Sequence, residues 1–199
     1  MGSYNIASQL NVGNVSGNSY FRIEEDGSIQ MLGDASMWED LRFPATQTKL
    51  GANLKPDFDF TDIGLLFPQN NTGEVVYMVV QLPHNYKLGT SLRPHIHFIQ
   101  SAATVPVFKI SYRWINNSGT VGSFTTIATT TLRYTYTSGS ILQVAEFPEV
   151  VAPTGVKLSS MLDIKLYRED NVVTGDVLVK EFDIHYQLDS FGSRTVGTK

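Results

Sequence analysis

An all-β fold, a jelly-roll-like antiparallel β-sandwich preceded by an extended N-terminal arm and a hairpin, is what this chain of 199 residues predicts. Three observations carry the prediction. Apolar and polar residues alternate along several segments, most cleanly at residues 107–115, where Phe108, Ile110, Tyr112 and Trp114 share one face and Lys109, Ser111 and Arg113 the other. Clusters of Gly, Asn, Asp and Pro separate these segments at the short spacing of sandwiches and barrels, giving roughly ten strands. No long stretch carries the period of an amphipathic helix, and the threonine-rich run at residues 125–137 suits a strand far better.

The N-terminal residues 1–18 are rich in Ser, Asn and Gly, with the isolated apolar residues Tyr4, Ile6, Leu10, Val12 and Val15. They predict an arm that orders on a partner surface. Residues 19–44 read as a hairpin and a connecting segment. Two short alternating runs flank Asp26-Gly27, a strong turn signal because Gly accepts a positive φ. Residues 33–41 predict a helical turn or an irregular corner burying Met37 and Trp38. Residues 45–199 form the main sandwich domain. Prolines and glycines up to Pro56 suggest an extended connection, and Phe58, Phe60 and residues 63–67 short strands.

Residues 74–82 are apolar on both parities, with Val76, Met78, Val80 and Leu82 on one side and Val75, Tyr77 and Val79 on the other. A strand of this kind is expected to be covered on both faces, at a sheet centre or a subunit contact. Pro94 opens the next strand, in which Ile96 and Phe98 share one face and His95, His97 and Ile99 the other. Further strands are expected at residues 121–127, 130–137, 141–147 and 161–168. In the last one, at 177–188, Phe182, Ile184, Tyr186 and Leu188 face inward and Glu181, Asp183, His185 and Gln187 outward.

Composition removes several functions. A net charge of −4 with a pI near 5.5 leaves no electrostatic footprint for nucleic acid or an anionic membrane. Cysteine is absent, so disulfides, thiolate metal sites and a cysteine nucleophile are excluded together. The first residues lack the basic and apolar regions of a signal peptide, no apolar run reaches membrane-spanning length, and no cofactor is implied.

The paired histidines are the clearest chemical feature. Residues i and i+2 of a strand project side by side, so His95 and His97 either stand as half-exposed strand residues hydrogen-bonded to neighbours or face one ion. The segment from Gly89 to His97 resembles the start of the first cupin motif, a glycine, five residues and then His-x-His. It departs from that motif where a glutamate is expected, at Gln100, Ser101 and Ala102. A three-ligand site would then need a carboxylate or an imidazole from elsewhere, such as His84 or His185. Alternatively, a His-x-His from each of three chains would offer six imidazoles to one ion on a threefold axis. Tyr112, Trp114, Tyr134 and Tyr136 are candidates for a sugar-stacking platform if exposed, and for core if not.

Several segments together resemble a family of uncharacterised tailed-bacteriophage proteins regarded as structural components of the virion. They are DGSIQMLGDASMWEDLRFP (26–44), QLPHNYKLGTSLRPHIHF (81–98), the Tyr-x-Trp strand (112–114) and FDIHYQLDSFGSRTVGTK (182–199). The resemblance implies particle assembly and carries no catalytic residues. It leads to the expectation of a non-enzymatic protein made in the host cytoplasm and built into the virion. That protein would be a homotrimer decorating or cementing the capsid, or part of a head or tail fibre, with other virion proteins as partners. Apolar Val75, Tyr77 and Val79 and the arm residues are the expected assembly contacts. A receptor- or host-glycan-binding module and a cupin-like mononuclear metalloenzyme are the alternatives.

Overall fold

Alternation at a period of two decides which side chains enter the core, and the pairing of distant strands then decides where each face points. The computed structural model describes residues 9–25, 27–52, 54–69, 73–169 and 175–191. Its early strands are β1 (Leu10–Asn14), β2 (Ser19–Ile23), β3 (Ile29–Gly33), β4 (Met37–Pro44), β5 (Lys49–Leu50), β6 (Asp57–Asp59), β7 (Gly64–Phe67) and β8 (Val76–Gln81). They are followed by β9 (Arg93–Gln100), β10 (Phe108–Ile115), β11 (Thr125–Ala128), β12 (Thr131–Leu132), β13 (Ile141–Glu146), β14 (Met161–Arg168) and β15 (Val177–Leu188). A single 3-10 turn at Ala45–Gln47 is the one helical element among the described residues, and no described helix could cross a membrane.

Two antiparallel sheets build the sandwich. One has the order β11-β10-β14-β8-β5; the other runs β12-β13-β9-β15-β7-β6, with β4 also paired to β15. Their inner faces meet around Phe108, whose ring lies 5.4 Å from Phe98 and 6.0 Å from Phe67 of the facing sheet. Ile96, Ile110, Leu162, Ile164, Leu166, Phe182 and Ile184 complete this core. The inward residues expected for β10, β14 and β15 are therefore in place. Arg168 is also fully buried at the end of β14, where Nη1 donates to the carbonyls of Phe67 and Gly175.

The hairpin expected around Asp26-Gly27 is formed by β2 and β3, although Asp26 itself lies outside the described residues. In place of a wholly unpaired arm, Leu10–Asn14 adds to that hairpin as β1, making a separate three-stranded sheet. Leu10, Val12 and Val15 remain exposed there; Tyr4 and Ile6 lie outside the described residues. Buried Met31, the bridge between Gln30 and Ser190, and Lys87 Nζ donating to the carbonyls of Gly33 and Ala35 fasten this sheet to the sandwich.

Two expectations are corrected. Residues 37–44 are strand β4, neither helical turn nor corner, running antiparallel to β15 from Met37 opposite Leu188 to Pro44 opposite Glu181. The weak capping signal at Asp34 and Ser36 yields to the unpaired edge that β15 offers, and Met37 and Trp38 stay largely exposed. Strand β8 is covered on one face only. Val76, Met78 and Val80 are buried, whereas Tyr77 is 42% and Val79 59% exposed. Among the described residues only the two-residue β5 flanks β8 beyond β14, so this strand lies near a sheet edge and not at the centre.

Because Phe108 joins both sheets, Phe108→Ala should destabilise the protein by about 3–5 kcal/mol, as expected for removing a buried phenyl ring. Leu142→Ala, at a largely exposed position, should stay within about 0.5 kcal/mol of wild type. Urea denaturation of the two variants checks both values.

Candidate functional site

His95 and His97 occupy alternate positions of β9, and Ile96 and Phe98 take the core-facing positions. Both imidazoles therefore leave the outer face of the seven-stranded sheet. On the neighbouring β15, Asp183 is the register partner of His95, and Glu181 that of His97. The Asp183 carboxylate thus sits opposite one histidine and diagonal to the other, and it is shared between them. Its Oδ1 contacts His95 Nε2, and its Oδ2 lies 3.2 Å from His97 Nε2. One ligand atom from each of the three side chains lies within 4.8 Å of the other two.

Strand pairing continues on both sides of this group. Across the sheet, Glu146 of β13 faces His95, His95 faces Asp183, and Asp183 faces Arg42 of β4. Acidic and basic side chains therefore alternate along one row. His185, two residues beyond Asp183 on the same face, packs edge-on against His95 with 4.5 Å between ring centroids. Its own Nε2 lies 2.8 Å from Asp40 Oδ1 of β4. A cleft of about 550 Å³ opens over the cluster, with His97, Arg133, Tyr134 and Glu146 among its walls. The arginines there have partners, since Arg93 pairs with Glu149 at 2.9 Å and Arg133 with Glu146 at 3.1 Å.

Burial sets the electrostatics. Only 5% of Asp183 and 8% of His95 is exposed, while His97 is half-buried. Burial opposes charge on the His95 ring, yet the Asp183 carboxylate and a hydrogen bond to the Arg93 backbone together raise its pKa above the usual 6.5. Burial likewise pushes Asp183 up, but the two imidazoles hold it below the usual 3.8. A carboxylate bridging two imidazoles in this way can act as a buried ion pair or as part of a cation-binding set.

The histidine pair was legible as a unit, but its third member was not. Asp183 supplies it as the carboxylate from elsewhere in the chain, and neither example histidine joins the group: His84 Nε2 lies 2.8 Å from Ser159 Oγ, and His185 pairs with Asp40. Asp183 had been expected among outward polar residues, and it does point outward, yet it is buried beneath its neighbours. Because the acid comes from the same chain, the cluster needs no symmetry axis to be complete. The cupin-like arrangement is not found, since the histidines lie outside the sandwich and not within a barrel.

The four aromatic candidates are not brought together. Tyr112 and Trp114 pack against the core, Tyr136 donates its hydroxyl to the Ser101 and Gly139 carbonyls, and Tyr134 alone stands exposed beside the cleft. Compared with protein-family models, curated proteins and solved structures, the chain matches none.

The two pKa shifts give the ion pair a signed pH dependence. The contribution of His95, whose folded pKa is raised, is complete below 6.5 and is lost as pH rises through the folded value. That of Asp183, whose folded pKa is lowered, is present above 3.8 and is lost as pH falls through the folded value. Asp183→Ala should therefore cost most between these limits, by about 3–5 kcal/mol for an abandoned buried partner, and progressively less in alkaline solution. Urea denaturation of wild type and variant with chelator at acidic, neutral and alkaline pH measures the difference; a pH-independent cost would contradict the pairing.

Proposed function

We propose that this chain is a non-enzymatic structural protein of a tailed-phage virion, a β-sandwich that assembles as a homotrimer in a capsid-decorating, cementing or fibre role. The observation that carries the reading is the apolar surface left open at the sheet margins. Tyr77 and Val79 project from the outer face of β8, and Leu10, Val12, Val15 and Phe21 are exposed on the small N-terminal sheet. Beyond the two residues that pair with β5, the far edge of β8 has no partner strand among the described residues.

An apolar strand near an open edge is a hazard for a free monomer and an asset for a subunit, because another copy can cover the face that the chain itself leaves bare. The N-terminal sheet adds a second such surface at a different place on the sandwich. One surface can then serve contact between copies and the other contact with further particle proteins. The likeness of segments 26–44, 81–98, 112–114 and 182–199 to phage virion proteins supplies the setting. Net acidity and the scattered aromatic residues do not favour nucleic acid or a stacked sugar as partner.

Native mass spectrometry should find the wild-type chain as a trimer at micromolar concentration. Val79→Glu, placing a charge on the bare face of β8, should shift it toward monomer with an unchanged far-ultraviolet circular dichroism spectrum. A wild-type monomer would overturn the trimer. Mass spectrometry of purified particles from a phage encoding the chain should detect it among the virion proteins, and its absence there would overturn the virion role.

A further inference from the structure

We propose that His95, His97 and Asp183 form a mononuclear site for a first-row divalent transition-metal ion, one per chain, on the outer face of the seven-stranded sheet. The donor set suits such an ion. Two imidazoles and one carboxylate match zinc and its neighbours, whereas calcium and magnesium take oxygen ligands almost exclusively.

The dimensions agree. A metal with bonds of about 2.0–2.2 Å at angles between octahedral and tetrahedral holds adjacent ligand atoms about 3.0–3.5 Å apart. His97 Nε2 and Asp183 Oδ2 are 3.2 Å apart, and the three ligand atoms lie within 4.8 Å of one another. The backbone already sets these separations: one pair of ligands is two residues apart on β9, and the third is fixed by antiparallel register on β15.

Surrounding contacts orient the ligands as they do in metalloproteins. His95 is held by the Arg93 backbone and by the edge of the His185 ring, which Asp40 holds in turn. Glu146 and Glu181, the register partners of His95 and His97, flank the site, each ion-paired with an arginine, Arg133 and Arg42. His97 is the most exposed of the three ligands and borders the cleft, so an ion can enter from solvent. Three protein ligands leave the ion at least one open position toward that cleft, which water or an oxygen donor would fill.

The test uses the full chain stripped with chelator and dialysed, titrated with zinc chloride by calorimetry, with metal analysis after gel filtration. Cobalt(II) as a second probe reports ligand geometry through its visible absorption. One zinc per chain is expected. His97→Ala should weaken zinc binding more than about 100-fold, beyond the range for losing a supporting contact, and abolish the cobalt spectrum. Asp183→Asn, which keeps the shape of the side chain, should do the same, while His84→Ala should bind as wild type does. Circular dichroism confirms that each variant is folded; His97, half-exposed, is the ligand least needed for folding. Failure of the wild-type chain to bind zinc or cobalt would overturn the site, as would a folded His97→Ala that binds unchanged. One ion per three chains, retained in Asp183→Asn, would also overturn it, and would point to an axial ion between copies.

Discussion

Strand β15 is the constraint on which the rest depends. Over Val177–Leu188 it pairs with β9 on one side and with β7 and then β4 on the other. Its inward residues Phe182, Ile184, Tyr186 and Leu188 join the core, and its outward residues Glu181, Asp183 and His185 organise the opposite face. A single strand thus contributes both to the packing that holds the sandwich and to the polar row that crosses it. Moving its register by one residue would exchange these two sets, placing carboxylates in the core and phenyl rings in solvent.

The polar row shows how a buried carboxylate is retained at a sheet surface. Leaving water costs Asp183 several kcal/mol unless neighbours compensate. His95, His97 and the cation of Arg42 stand close enough to do so, and Arg42 is itself tied to Glu181. The compensation comes from side chains held by backbone pairing, so it requires little additional ordering. This ready-made geometry gives the cluster its capacity to hold an ion pair or, once the bridging charge is supplied by a metal, to share its lone pairs with a cation.

Two kinds of surface are consequently separated on the molecule. The outer face of the seven-stranded sheet carries the cleft and the paired polar row, beside exposed Trp38 and Leu142. The margin at β8 and the N-terminal sheet instead carry exposed apolar side chains, Tyr77 and Val79 on the one and Leu10, Val12 and Phe21 on the other. A chain that leaves valine and tyrosine on one face while building charge compensation on another keeps its bare apolar side chains apart from its polar cluster.

Much of this was legible beforehand. Alternation announced β9, β10, β14 and β15, and Asp26-Gly27 announced the hairpin; the i, i+2 spacing put His95 and His97 on one face. All of these are properties of neighbouring residues, which a repeat of two or a turn dipeptide encodes directly. Asp183 was legible as an outward residue but not as the histidines' partner, because 88 residues separate it from His95 and only the pairing of β9 with β15 makes them neighbours. The same reason explains β4, whose helix-like start gave way to the edge of β15, and β8, whose second apolar face the fold leaves bare. Local pattern determined what each strand could bury; the register of distant strands decided what each would meet, since the free energy of pairing comes from contacts that a local pattern does not contain.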